Sequence, residues 1–261
     1  MDERERLEEA HPDAAARGKG LGALRQRGIY LLPNLFTTAA LFFGFYAIVQ
    51  AMNNRFENAA IAIFVAMVLD GLDGRVARMT HTQSEFGAEY DSLSDMVSFG
   101  VAPALVMYEW ALKDLGKLGW IAAFVYCAGA ALRLARFNVN IDVVDKRYFQ
   151  GIPSPAAAAL LAGLVWVFDD LGIDRDLWLN IIAWAFTMYA GITMVSNVPF
   201  FSFKDFNLKR AVPFWVLLAL VAGIAVVSLQ PSVVLFLLVF AYGMHGYVLW
   251  FLGRRAKPTA A

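Results

Sequence analysis

Apolar runs of about twenty residues, the length a helix needs to cross the hydrocarbon of a bilayer, follow one another along most of this chain. Read for that feature alone, the sequence offers eight candidates: roughly 30–51, 57–79, 92–112, 117–138, 152–169, 177–197, 211–229 and 231–253. The second and third carry carboxylates at one end. Of the 261 residues, 59% are hydrophobic and 17% charged, against about 45–50% and about 25% in a water-soluble domain. A soluble fold of this length could not hide so much apolar surface. The expected architecture is an all-α, polytopic membrane bundle of about eight transmembrane helices. A single cysteine, Cys127, leaves no disulfide framework. Basic and acidic residues balance at 22 each, which argues against a nucleic-acid partner.

The connections between runs are short, so residues 29–255 read as one membrane domain. Residues 1–28 read as a charged N-terminal tail, nearly all charge from Asp2 to Glu9 and basic with glycines from Arg17 to Arg27. It has no apolar core for a signal peptide. It reads either as a solvated end or as an interfacial helix with Leu21, Leu24, Arg25 and Arg27 against anionic headgroups. An even number of spans puts both termini on one side. That side then holds every lysine and arginine except Arg55, Lys113, Lys117 and Arg175. The positive-inside rule makes it the cytoplasm. No histidine pattern suggests a metal site: His11, His81 and His245 lack ligand spacing, and His245 reads as a packed, hydrogen-bonded residue of the last helix.

The end of the second run reads Asp70-Gly71-Leu72-Asp73-Gly74-Arg75-Val76-Ala77-Arg78, and the third opens Gly87-Ala88-Glu89-Tyr90-Asp91-Ser92-Leu93-Ser94-Asp95. Spacings of three and four put Asp70 with Asp73, and Asp91 with Asp95, on single helix faces. A short loop joins the two helices, so the four carboxylates are expected to face one another at the cytoplasmic end. Each such group costs about 2.5–3.5 kcal/mol at a helix centre and less towards the interface, and their mutual repulsion adds to that. Arg75, Arg78 and His81 supply too little positive charge. Hard divalent cations, Mg²⁺ or Mn²⁺, suit aspartate oxygens and phosphate chemistry. Two of them could clamp a diphosphate. Gly74 and Ala77 remove bulk from the same face, where a substrate group could approach the backbone. A cation or proton transporter is the competing class, but such sites lie near the midplane on broken helices, not at one end.

Written as a pattern, the segment is D-x2-D-G-x2-A-R-x8-G-x3-D-x3-D, filled by Asp70, Asp73, Gly74, Ala77, Arg78, Gly87, Asp91 and Asp95. It resembles the signature of the CDP-alcohol phosphatidyltransferases, with every fixed position present. Members displace CMP from a CDP-linked lipid with the hydroxyl of a small alcohol, using two divalent metals. The resemblance implies that Asp70 bridges both metals, that Asp73 and Asp91 complete the shell, and that Asp95 binds a metal and accepts the proton. It implies further that Gly74 and Arg78 contact the CDP moiety of CDP-diacylglycerol, with Ser84 and Gly87 at positions that touch the nucleotide. Pro33-Asn34-Leu35-Phe36-Thr37 is similar to the family's polar entry to the first helix. Asn34 and Thr37 could reach cytidine or phosphate there, or cap the helix after Pro33.

Three further stretches are similar to the branch of the family that accepts L-serine: Ser98–Ala104, Arg133–Asn138 and Phe149–Pro155. Met96 stands where the glycerophosphate branch commonly has lysine. Arg133 and Arg136, three apart near the cytoplasmic end of the fourth run, suit a serine carboxylate or the lipid diphosphate. They also suit snorkelling anchors. Inositol or glycerol phosphate is the alternative acceptor. The resemblance further implies a homodimer in a bacterial inner membrane, with the active site at the cytoplasmic face. It covers about residues 31–160, and the spans beyond exceed the family's six-helix core.

Overall fold

The computed structural model describes residues 12–80, 82–139, 148–201 and 214–255, with side chains from Leu32 onward except at a few positions near the gaps. Expectations about residues 1–11 and His81 lie outside them. Helix α1 (Pro12–Met52) runs without a break through residue 28 and contains Pro33. It ends at a tight turn in which Asn54 takes a positive φ of 58°. Helix α2 (Phe56–Thr80) then packs back along most of α1. After a short connection, Ser84 caps α3 (Glu85–Asp95) by accepting a hydrogen bond from the Gly87 N–H, as an extended N-cap serine does. The run continues through a π-helical turn (Met96–Val101), α4 (Ala102–Met107), a second π turn (Tyr108–Leu112) and a 3₁₀ turn (Lys113–Leu115).

Helix α5 (Lys117–Val139) packs against α7 (Leu177–Val195), and between them in sequence lies α6 (Ser154–Asp170). Helix α6 is the core of the bundle, buried almost continuously from Ala157 to Val165 and packed on α2 and α9. Helices α8 (Phe214–Leu229) and α9 (Pro231–Arg255) complete the chain. At Gly129 and Gly191 the backbones of α5 and α7 touch. A Cβ on Gly129 would stand 2.5 Å from the Gly191 carbonyl oxygen. This close approach by small residues is how helices associate in lipid, where burial of apolar surface does not distinguish a neighbour from a lipid tail. Large apolar side chains such as Leu35, Phe42, Phe45, Trp215, Leu229 and Phe251 face outward. A surface of that kind belongs in a membrane.

The structure supports the helical membrane architecture at a coarser level than the eight expected spans. Among the described residues, four helical stretches are both long and apolar enough to cross a membrane: Leu32–Met52, Lys117–Val139, Leu177–Val195 and Pro231–Leu252. The other expected spans fall short for separate reasons. Helix α2 carries two aspartates and two arginines in its second half, the third run is broken by π turns, and α6 and α8 have 17 and 16 residues. A departure from the all-α expectation is a small antiparallel pairing, β1 (Tyr148–Gln150) with β2 (Pro199–Phe201), in register Phe149↔Phe200. Three-residue strands are too short for an alternating pattern to be read. His245 is exposed rather than packed, because it lies on the outward stripe of α9 with Ala241, Met244 and Val248.

Candidate active site

The second half of α2 and the second half of α3 bring Asp70, Asp91 and Asp95 together. Each offers a carboxylate oxygen, and the three oxygens lie within 4.8 Å of one another. All three residues are half-buried. Asp73 is buried and stands beside this group, its Oδ2 accepting a 2.8 Å hydrogen bond from Thr37 Oγ1 on α1. Its charge is felt at both Asp91 and Asp95. Helix α1 is the seam that sets this geometry. Ser94 Oγ donates to the Thr37 carbonyl at 3.1 Å, Ser98 Oγ to the Ala40 carbonyl at 3.1 Å, and the Thr38 and Tyr90 hydroxyls meet at 2.9 Å. Thr37 thus grips α2 by its side chain and α3 by its backbone.

Three negative charges this close repel by at least about 3 kcal/mol per pair, even at an effective dielectric of about 20. Asp91 Oδ1 is buried with no hydrogen-bond partner. Among the described residues, no lysine or arginine makes a salt bridge to any of the four. A cluster of hard oxygen donors with an unused buried oxygen fits a divalent cation. Arg78 is exposed, and its Nε donates to the Gly74 carbonyl at 2.8 Å.

The remaining expected site residues fall into two groups. Gly74 borders open space, with nothing within 4 Å of where a Cβ would stand. Asn34, Ser84 and Gly87 meet where α1 passes the start of α3, since a Cβ on Gly87 would lie 3.1 Å from Ser84 Oγ and 3.4 Å from Asn34 Oδ1. Thr37 is set apart from these by its bond to Asp73. The two arginines also separate. Arg133 Nη1 donates to Ser154 Oγ at 3.0 Å, its Nε is buried without a partner, and Asp95 is the charge it feels most strongly. Arg136 turns to the other side. Its Nη2 donates to Gln150 Oε1 and Asn197 Oδ1, each at 2.6 Å, so it ties the end of α5 to the segments around β1 and β2.

Some contributors escape sequence reading. Ser94 and Ser98 are four apart on one face of α3 and its π turn, which hints at a shared neighbour without naming it. Ser154 opens α6 three residues after Gly151, whose φ of 78° and missing side chain are both required. A Cβ there would stand 2.4 Å from the Met194 carbonyl oxygen. That turn lets Ser154 reach Arg133.

The profile of the CDP-alcohol phosphatidyltransferase family matches residues 30–190. A CDP-diacylglycerol–serine O-phosphatidyltransferase of Helicobacter pylori (strain ATCC 700392 / 26695) is 36% identical over 228 residues, covering 85% of this chain and 92% of that protein. The enzyme of the same name from Mycobacterium tuberculosis (strain ATCC 25618 / H37Rv) is 34% identical over 232 residues, covering 84% and 79%. A third, from Methanocaldococcus jannaschii, is 33% identical over 192 residues, covering 73% and 85%. With its carboxylates gathered from the signature segment and relatives of one name matching along most of its length, this chain belongs to the CDP-alcohol phosphatidyltransferase family.

Proposed function

We propose that this protein transfers the phosphatidyl group of CDP-diacylglycerol to L-serine, giving phosphatidylserine and CMP. The observation that carries the reading is the convergence of Asp70, Asp91 and Asp95 in a chain whose relatives, matched over most of their length, bear the name of that reaction. Asp70, Asp73, Asp91 and Asp95 hold two divalent cations, Mg²⁺ or Mn²⁺. When bound, such cations neutralise a diphosphate and stabilise the attacking and leaving oxygens of an in-line displacement.

The chain's own residues supply the rest. Asp95 accepts the proton of the serine hydroxyl as that oxygen attacks the lipid-side phosphorus. The bond from phosphorus to the bridging oxygen breaks, and its electron pair leaves with CMP. Gly74, with open space before it, admits the CDP moiety against the α2 backbone. Arg78 lies one turn further on, and Asn34, Thr37, Ser84 and Gly87 border the same approach from α1 and α3. Arg133, aimed inward near Asp95, holds the serine carboxylate or the lipid diphosphate. Arg136 was paired with it on spacing, and its bonds to Gln150 and Asn197 support a second duty in holding the loop segments.

The same reading covers placement. Residues 29–255 act as one membrane domain behind an N-terminal tail. Helix α2, the α3–α4 run, α6 and α8 add to the four apolar stretches to make about eight spans. Both termini and the active site then face the cytoplasm, in a bacterial inner membrane, and two copies associate as a homodimer. The basic residues gathered on one side support the orientation.

The deciding experiment incubates the purified protein with CDP-diacylglycerol, Mg²⁺ or Mn²⁺, and serine, inositol or glycerol phosphate in separate reactions. Serine-dependent release of CMP with formation of phosphatidylserine is expected. Release driven by another alcohol and not by serine would overturn the assignment. Isotope exchange of CMP into CDP-diacylglycerol without any alcohol would replace direct attack with a phosphatidyl-enzyme.

A further inference from the structure

The helix that carries Asp91 and Asp95 changes its winding immediately after Asp95. Met96–Val101 form a π-helical turn, closed where the Ala102 N–H donates to the Val97 carbonyl five residues back. An α-helix resumes at Ala102, with Pro103 in its first turn. In α-helical register the Phe99 carbonyl would accept from the N–H of residue 103, and proline has none. The Tyr126 hydroxyl on α5 donates to the Phe99 carbonyl at 2.9 Å, with both residues fully buried. On the other side of the same segment, the Ser94 and Ser98 hydroxyls donate to α1 carbonyls. Asp95 sits between those two serines. Its backbone is therefore held by α1 on one side and, through the π turn, by α5 on the other. Helix α7 backs this contact, since a Cβ on Gly191 would stand 2.9 Å from the Tyr126 Cα.

We propose that Tyr126 is a positioning residue for Asp95: by donating to the Phe99 carbonyl inside the π turn, its hydroxyl holds the turn that sets where the Asp95 carboxylate stands beside Asp70 and Asp91. The inference rests on the reading of Asp95 as a working carboxylate of the transfer site. Single π turns recur at functional positions because they re-aim the residues beside them. A carboxylate that must meet two others within 4.8 Å tolerates little drift, and displacement of about 1 Å in such a constellation costs about 10²-fold in rate.

The test removes one oxygen. Tyr126→Phe keeps the buried ring and deletes the donor. Mn²⁺ binding to the purified protein, titrated by electron paramagnetic resonance without substrate, should weaken about tenfold. In serine turnover, kcat should fall by about tenfold or more while the KM for CDP-diacylglycerol stays within about twofold. The decisive comparison uses Asp95→Asn, where no carboxylate remains to be aimed. In that background Tyr126→Phe should leave the Mn²⁺ affinity unchanged. An equal loss of affinity in both backgrounds means general loosening of the bundle and overturns the proposal. So does a Tyr126→Phe protein that matches the parent in both affinity and kcat. A parent protein without serine-dependent CMP release would strike at the transfer reading instead, and the Mn²⁺ titration would still decide the coupling between Tyr126 and Asp95.

Discussion

Thr37→Val separates two roles that spacing alone could not distinguish. The substitution keeps the branched shape of the side chain and removes the hydroxyl that donates to Asp73 Oδ2 at 2.8 Å. Thr37 and Asp73 are 4% and 5% exposed, so water cannot replace the lost donor without rearrangement. A hydrogen bond to a charged group contributes about 1.5–3 kcal/mol. At about 1.4 kcal/mol per tenfold, that is about 10- to 100-fold in any equilibrium that needs Asp73 oriented and ionised. Loss of groups that orient metal ligands has the same magnitude, about 10–100-fold in metal affinity. The expected result is that the Mn²⁺ concentration giving half-maximal phosphatidylserine synthesis rises by that factor, with the KM for CDP-diacylglycerol little changed. Thr37→Ser, which restores the donor, should recover most of the loss. A raised KM for CDP-diacylglycerol at unchanged Mn²⁺ dependence would refute the reasoning and make Thr37 a direct contact of the nucleotide.

Asp95→Asn should lower kcat by about 10²–10⁴-fold, the usual contribution of proton removal, while CDP-diacylglycerol still binds in an equilibrium assay. Asp70→Asn should instead lose metal and nucleotide binding together. Excess EDTA should abolish turnover reversibly, with Mg²⁺ or Mn²⁺ restoring it. Arg133→Ala should raise the KM for serine, and Arg133→Lys should not rescue it, because an ammonium cannot reproduce the planar fork; Arg136→Ala should lower the melting temperature with serine KM near that of the parent. Gly129→Ala puts a methyl group 2.5 Å from the Gly191 carbonyl oxygen, so thermal unfolding in detergent should show a loss of about 1–3 kcal/mol.

Much of the carboxylate cluster was legible because it is written in one short stretch. Helical periodicity is a local property, so spacings of three and four placed Asp70 with Asp73, and Asp91 with Asp95, before any packing was known. The short connection after Thr80 implied that the two pairs would meet. The apolar runs announced membrane helices in the same local way. They do not show where a run is interrupted, since a hydropathy window does not register where the backbone switches to π geometry near Met96 and Tyr108.

What the sequence by itself determined, then, is a helical membrane chain with carboxylates concentrated on two helix faces and a signature segment that names a family. The tertiary structure alone decided which partners those carboxylates have. Thr37 reads equally well as a cap or a ligand until α1 is found lying between α2 and α3, its hydroxyl on Asp73. Arg133 and Arg136 look alike on one helix, yet the neighbours they meet divide them. One meets Ser154 within reach of Asp95's charge, the other Gln150 and Asn197. Tyr126 carries no signal at all beside Pro103, 23 residues away, until α5 packs against the π turn. Periodicity acts along the chain within a turn or two. Contacts between helices depend on crossing points such as Gly129 against Gly191, where backbones approach only because two distant positions both lack side chains.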